Sequence, residues 1–346
     1  MVGKWHVGYG TWSHTPMGRG FQSFVGYLQA QGNYLEHNVD IPEFKRVDGL
    51  DFWHDKRPYR DAVGNHSMAV FRARQLEVVR GYAARHPTRK AQLAEPLFLY
   101  MSHQSVHVPI MPRVAVDERC AGIAAASPAS RPATRTRHAY CALLMDMDDA
   151  IGELTHELHA NGMWNDTLVL LTTDNGAMTN YVSDASTGEP LFPASAGSNY
   201  PYRGGKMTLF EGGVRALGIV SGGAVPPHAR GITFSGLAHI VDLTAVALAH
   251  ADVSRATLRE LNMDGVDFTR ALFASESGCR ASCRARGRDH VPLNIVNGGK
   301  DYTAVRFGKW KLILNAHKTP RGSWFDVNGN VLRPAPRNES AVMLFD

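Results

Sequence analysis

Two short apolar runs stand out along the chain: Leu97 to Met101, and Thr167 to Thr173, which is rich in Leu, Val and Thr. Each ends abruptly in polar residues, the pattern of strands buried in a parallel or mixed sheet. Between them Tyr140, Leu144, Met147, Ile151, Leu154 and Leu158 recur at steps of three and four, while Asp146, Asp148, Asp149, Glu153 and Glu157 mostly take other faces. That spacing predicts an amphipathic helix, closed by Asn161-Gly162. A helix, a short turn and a buried strand make half of a βαβ unit, so an α/β sandwich is expected.

Further on, Leu237, Ile240, Val241, Thr244, Val246 and Leu248 predict a second helix over Ser235 to Ala249. Ala304 to Leu314 reads as two strands meeting at Phe307-Gly308-Lys309, a hairpin that opens a smaller C-terminal sheet. Two stretches lack this periodicity: Ala121 to Arg137, made largely of Ala, Ser, Pro, Thr and Arg, and Ser275 to Asp289, dense in Arg and Ser. Both read as surface loops or insertions.

The composition of the 346 residues, 44% hydrophobic and 20% charged, is that of an ordinary globular protein with a large core. No apolar run long enough to span a bilayer occurs, and the N-terminus has no signal-peptide pattern. The 37 basic residues exceed the 32 acidic ones only slightly, which solvated surface accounts for without a nucleic-acid partner. Cys120, Cys141, Cys279 and Cys283 are too few and dispersed for a disulfide framework, and only Cys279 and Cys283 suggest a local bridge. Sequons at Asn65, Asn165 and Asn338 fit passage through the secretory pathway.

Four places carry candidate chemistry. Asp174-Asn175-Gly176 ends the 167 to 173 run, where α/β sheets place ligand groups, and offers two hard oxygens suited to Ca²⁺ or Mg²⁺. The same tripeptide also reads as a plain turn. His107 follows the other run and belongs at the same sheet edge, unless it is only a surface histidine. Lys4 and His6 alternate as along an extended segment, either a clamp for an oxyanion or the solvated side of an edge strand. Lys206 lies between the glycine pairs Gly204-Gly205 and Gly212-Gly213, in a turn that can reach a ligand or merely cross the surface.

Met1-Val2-Gly3-Lys4-Trp5-His6-Val7-Gly8 resembles the Gly-Lys-Trp-His-Leu-Gly signature of type I sulfatases. Thr15 to Phe21 with Phe24 to Leu28 resembles the segment that follows it in the arylsulfatase B-like branch. Phe98-Leu99-Tyr100 through His107-Val108-Pro109, Gly162 to Thr167, Thr172 to Gly176, Arg203 to Lys206, Glu211 to Arg215 and Phe307 to Leu312 complete the ordered set. The resemblance implies an alkaline phosphatase-like α/β fold, with a mostly parallel mixed sheet between helices and a small C-terminal antiparallel sheet. It implies a catalytic domain over 1–274 that is N-terminally incomplete, an Arg-rich insertion over 275–290 and the start of a C-terminal subdomain over 291–346. By the same resemblance Asp174 and Asn175 are ligands of one Ca²⁺, and Lys4, His6, His107 and Lys206 surround the sulfate of an aryl or glycan sulfate ester. His6 matches the residue that contacts the nucleophile, while Lys206 and His107 are placed to protonate or stabilise the leaving oxygen. A lysosomal or extracellular location follows from the family.

The family's nucleophile is a hydrated formylglycine made from the Cys of a Cys-x-Pro-Ser-Arg type motif, and none of the four cysteines begins one. That motif and an Asp-Asp pair of metal carboxylates are expected upstream of Met1. With Leu344-Phe345-Asp346 resembling the start of an internal family segment, a fragment or truncated gene model is expected. Ser127-Pro128-Ala129-Ser130-Arg131 imitates a serine form of the motif but lies out of family order. Two other readings stay open. One is an inactive sulfatase-like binding protein; the other is a phosphatase or phosphodiesterase of the same superfamily, which would carry Asp-His where this chain has Asp174-Asn175.

Overall fold

A computed structural model of the chain describes residues 1–39, 49–114, 118–122, 132–179, 197–273, 287–294, 302–316, 322–325, 331–334, 336 and 340–346. They form two compact units, Met1–Trp164 and Asn165–Asp346. Cys279, Cys283, Asn338, the Ser127 to Arg131 segment and most of the 275–290 stretch lie outside the described residues.

A five-stranded mixed sheet supports the first unit, in the order Arg57–Pro58, Trp53–His54, Val25–Tyr27, Val2–Lys4, Met101–Ser102. Val2–Lys4 runs parallel to both neighbours, with Val2 opposite Val25 and Met101, and the other two pairings are antiparallel. Gly3 has a φ of 107°, and a Cβ there would lie 1.9 Å from the Ser102 carbonyl oxygen, so only glycine lets these strands approach. The run expected as a buried strand over Leu97 to Met101 is a strand only at Met101–Ser102. Leu97 and Leu99 pack inward, whereas Phe98 and Tyr100 are exposed at the edge of the sheet.

Two long helices pack against each other in this unit, Ser67–Arg85 and Pro132–Ala160. The first buries Met68, Phe71, Gln75, Val79 and Tyr82, three and four residues apart. Its stripe contains the buried polar residues Ser67 and Gln75, which mask the period in the sequence. The Gln75 amide nitrogen donates across the interface to the Ala150 carbonyl at 2.6 Å, while its buried Oε1 has no partner. The second helix was expected from Tyr140 but starts at Pro132, inside the stretch read as a loop; a proline in the first turn sacrifices no helical hydrogen bond. It ends as predicted, with Gly162 in the left-handed region at a φ of 66°.

The predicted face is inward at Leu158, with Met147 and Leu154 packed against the core, but Leu143 and Ala150 are also buried and Leu144 is exposed. Asp146, assigned to the polar side, is buried, held by Arg113 at 2.9 Å and Arg72 at 3.6 Å. Cys120 and Cys141 form a disulfide across 21 residues, with Cα atoms 6.0 Å apart, a bridge not expected from a sequence in which only Cys279 and Cys283 suggested one. Closing a loop of that length contributes about 3 kcal/mol.

In the second unit Val169–Thr172 pairs antiparallel with Gly218–Ser221 as a two-stranded sheet, half-buried instead of fully buried as expected. The predicted helix over 235–249 is shorter, Asp242–His250. The Asp242 carboxylate is already engaged by the backbone amides of His239 and Val266 and by Arg288, which fixes the preceding residues in a non-helical loop. The C-terminal hairpin forms as predicted, Thr303–Phe307 against Trp310–Leu314, flanked by His290–Leu293 and Val342–Phe345 in a four-stranded antiparallel sheet. Among the described residues no helix is long and apolar enough to cross a membrane.

One half-buried histidine makes the first unit sensitive to acid. His103 follows the Met101–Ser102 strand, and its Nδ1 is sealed from solvent with no hydrogen-bond partner. Burial lowers its pKa to about 4, only partly countered by Asp146, and burial lowers His37 and His66 as well. Between pH 6.5 and 4 the unfolded chain therefore binds protons that the folded one refuses, so stability falls as pH falls through this window. His103 alone accounts for about 3 kcal/mol over the full window. Urea midpoints at pH 7.5 and 4.5 should converge in His103→Gln relative to the unmodified protein; an unchanged gap rules out this origin.

Candidate active site

In the first unit the parallel pairing of Val2–Lys4 with Met101–Ser102 puts Lys4 and the segment after Ser102 at the same carboxyl edge of the sheet. Lys4 is the last strand residue. His6 has a φ of 52°, so the expected alternation does not continue to it: the chain turns there, in a loop whose Trp5 indole donates to the carbonyls of Gly8 and His14 at 2.8 and 2.9 Å.

His107 sits in a heavily braced segment. Its Nδ1 lies 2.8 Å from the Val108 carbonyl oxygen. A carbonyl only accepts, so Nδ1 carries the proton and the acid–base chemistry of the ring rests on Nε2. The buried Tyr34 hydroxyl donates to the carbonyls of Gln104 and His107, at 3.1 and 2.9 Å. Burial raises its pKa, which keeps it a donor. The Gln104 side chain in turn accepts from Ser67 at 2.7 Å and donates to Gly32 at 2.6 Å. The Tyr34 ring stacks on His66, 4.9 Å between centroids, and His66 Nε2 reaches the Met111 carbonyl oxygen at 2.7 Å.

In the second unit three segments converge. The Asp174-Asn175-Gly176 turn follows the Val169–Thr172 strand; the Gly176 amide donates to the Gly213 carbonyl at 3.0 Å, and a Cβ on Gly176 would fall 1.8 Å from the Gly212 oxygen. The Lys206 amide donates to the Ala177 carbonyl at 3.0 Å, and the Gly212 amide to the Arg203 carbonyl at 2.8 Å. The Asn199 side chain bridges the first two segments: Oδ1 accepts from the Ala177 amide at 2.8 Å, and Nδ2 donates to the carbonyls of Ala177 and Gly204 at 2.9 and 3.0 Å. Asp174, Asn175 and Lys206 thus belong to one backbone-locked cluster.

Charge fixes this cluster from behind. The Arg203 guanidinium lies between the rings of Phe210 and Trp324, at 3.7 and 4.4 Å, a desolvated cation–π sandwich. Glu211, which opens the Glu211–Val214 helix, binds Lys311 at 2.8 Å and Arg306 at 3.2 Å. Burial acts to raise the Glu211 pKa, but its cationic neighbours prevail and hold it below the usual range; burial holds Lys311 low, partly offset by Glu211.

As a metal ligand set the turn fits in kind. The Asn175 amide nitrogen donates to the Gly176 carbonyl at 2.9 Å, so Oδ1 is the atom that could meet a cation; Asp174 is exposed, with Oδ1 accepting from the Asn175 backbone amide at 2.8 Å. Two hard oxygens are a minority of the six to eight that Ca²⁺ takes. Among the described residues no group of three or more His, Cys, Asp or Glu could hold a metal. Sequence reasoning missed Tyr34, Gln104 and Asn199; the signal for the last was an asparagine directly before Tyr200-Pro201 in the run leading to Lys206.

The mixed-sheet α/β fold, with polar loops at strand ends, is that of the alkaline phosphatase-like superfamily. The crystal structure of Ps i-CgsB in complex with k-i-k-neocarrahexaose matches with a TM-score of 0.63 at 20% identity, over 90% of this chain and 61% of that one. Residues 1–253 match the sulfatase family model. The chain is 30% identical to Arylsulfatase J of Mus musculus over 320 residues, 91% of this chain and 46% of that protein. It is 25% identical to N-acetylgalactosamine-6-sulfatase of Homo sapiens over 279 residues, 79% of this chain and 45% of that protein. The chain belongs to the sulfatase family, and it spans about half the length of these curated relatives.

The Tyr34 brace can be tested without any substrate. Tyr34→Phe keeps the stacked ring and removes the hydroxyl, so urea unfolding should show a loss of about 1–2 kcal/mol. An unchanged midpoint would mean that the two carbonyls do not depend on that hydroxyl.

Proposed function

We propose that the whole protein hydrolyses sulfate esters, aryl or glycan, and that Lys4, His6, His107 and Lys206 serve its sulfate while Asp174 and Asn175 serve a Ca²⁺. The observation that carries the reading is the second-unit cluster, which holds two hard-oxygen donors and a lysine in one braced frame, in a chain of the sulfatase family. Names of relatives, arylsulfatase and N-acetylgalactosamine-6-sulfatase, support both substrate classes.

Cleaving a sulfate ester builds negative charge on the transferring group and on the leaving oxygen, and preplaced cations stabilise it most where water is excluded. A bound Ca²⁺ supplies Lewis-acid stabilisation of that charge. Lys4 and Lys206 would offset it as fixed cations. His107, protonated on Nδ1, would exchange the leaving-group proton at Nε2. His6 would contact the nucleophile. The superfamily's phosphatase reading is disfavoured by Asn175, because an amide cannot supply the imidazole ligand of a zinc site.

A secretory destination is supported by the Cys120–Cys141 disulfide, a bond that persists in oxidising compartments, and by the exposure of both described sequon asparagines, Asn65 and Asn165.

Steady-state assays of the whole protein on 4-nitrophenyl sulfate test this reading. Lys206→Met and His107→Gln should each lower kcat/KM by roughly 10²–10³ while leaving the fold unchanged by circular dichroism. Binding of the sulfate ester with no turnover in the unmodified protein would instead establish the binding-protein reading.

A further inference from the structure

We infer that Asn199 is a positioning residue for the reaction proposed above: its side-chain amide ties the Asp174-Asn175 turn to the Lys206 turn. The inference rests on that functional reading for its chemistry and on geometry for its substance. Asn199 uses three of its hydrogen-bonding positions on backbone groups of the two turns, Ala177 on one side and Gly204 on the other. Its orientation is unambiguous, because the Ala177 amide can only donate and the two carbonyls can only accept.

The Ala177 carbonyl is shared. It accepts from the Asn199 amide at 2.9 Å and from the Lys206 backbone amide at 3.0 Å, so one peptide group receives both the clamp and the lysine. Ala177 follows Asp174 by three residues, and Gly204 precedes Lys206 by two, so a shift of either turn moves a proposed functional side chain.

Sterics leave little room for other arrangements. Cβ atoms at Gly176 and Gly205 would meet Asn199 side-chain atoms at 3.2 and 3.1 Å, and at Gly205 the Ala177 oxygen at 2.6 Å. Asparagine is therefore packed between two glycines. Aspartate is close to isosteric, but it would turn an acceptor toward two carbonyl oxygens; glutamine carries an extra methylene that the gap does not admit. A displacement of about 1 Å in such a frame is enough to cost on the order of 10²-fold in rate.

Asn199→Ala and Asn199→Asp in the whole protein test the assignment, with three readouts. In both variants amide hydrogen exchange at Ala177 and Lys206 should accelerate, and the calorimetric Kd for Ca²⁺ should weaken by roughly 10–100-fold, the range typical of residues that orient metal ligands. On 4-nitrophenyl sulfate kcat should fall by roughly 10–100-fold with KM changed by less than about threefold, the mark of a misplaced site instead of a lost binding contact. Exchange and Ca²⁺ affinity equal to the unmodified protein would overturn the assignment, as would a lower melting temperature with kcat unchanged. A parent protein that turns over no sulfate ester defeats the hydrolase reading alone, and exchange and Ca²⁺ affinity then decide on Asn199.

Discussion

Where each unit assembles its candidate functional groups, backbone must lie against backbone. Gly3 in the first unit and Gly176, Gly205, Gly212 and Gly213 in the second all sit where a Cβ would come within 3 Å of another segment's main chain. Close approach lets peptide groups bond directly to one another, so the turns are held by fixed dipoles and not by flexible side chains. It also explains why the polar brace in each unit is a group tied to several backbone positions: Tyr34 in the first, Asn199 in the second. Preorganisation of this sort is what a reaction that develops charge requires, since donors that need not move at the moment of reaction stabilise it most.

Charge is used in two ways. In the first unit, arginines lace the two long helices together, Arg72 to Glu153 and Arg80 to Glu157, with Asp146 buried between Arg72 and Arg113. In the second unit the buried Lys311 and partly buried Arg306 anchor Glu211 behind the Gly212-Gly213 turn. Breaking the pairs of the buried Asp146 and Lys311 is costly because it strands a charge, so they lock a geometry more than they add net stability.

Much of this was legible in the sequence where the signal is local. The Phe307-Gly308-Lys309 turn announced its hairpin, and Gly162 its helix end, because a positive φ selects glycine. The Ser67–Arg85 helix was hidden because its buried face includes Ser67 and Gln75, whose burial makes sense only once a partner such as the Ala150 carbonyl is in place. Asp146 misled for the same reason: arginines 33 residues upstream and beyond cannot be read from its own helix. For the site, residue type marked out Asp174, Asn175, His107 and Lys206. Asn199 escaped because its partners lie 22 residues before it and five after, and an asparagine ahead of Tyr-Pro reads simply as a turn.

On the reading proposed above, this family frame serves a sulfate ester and not a phosphate ester. The most direct test is the ratio of kcat/KM for 4-nitrophenyl sulfate over 4-nitrophenyl phosphate, measured on the whole protein with Ca²⁺ present. The account predicts a ratio in favour of sulfate of about 10² or more, equivalent to roughly 3 kcal/mol of transition-state discrimination. Faster turnover of the phosphate would contradict it.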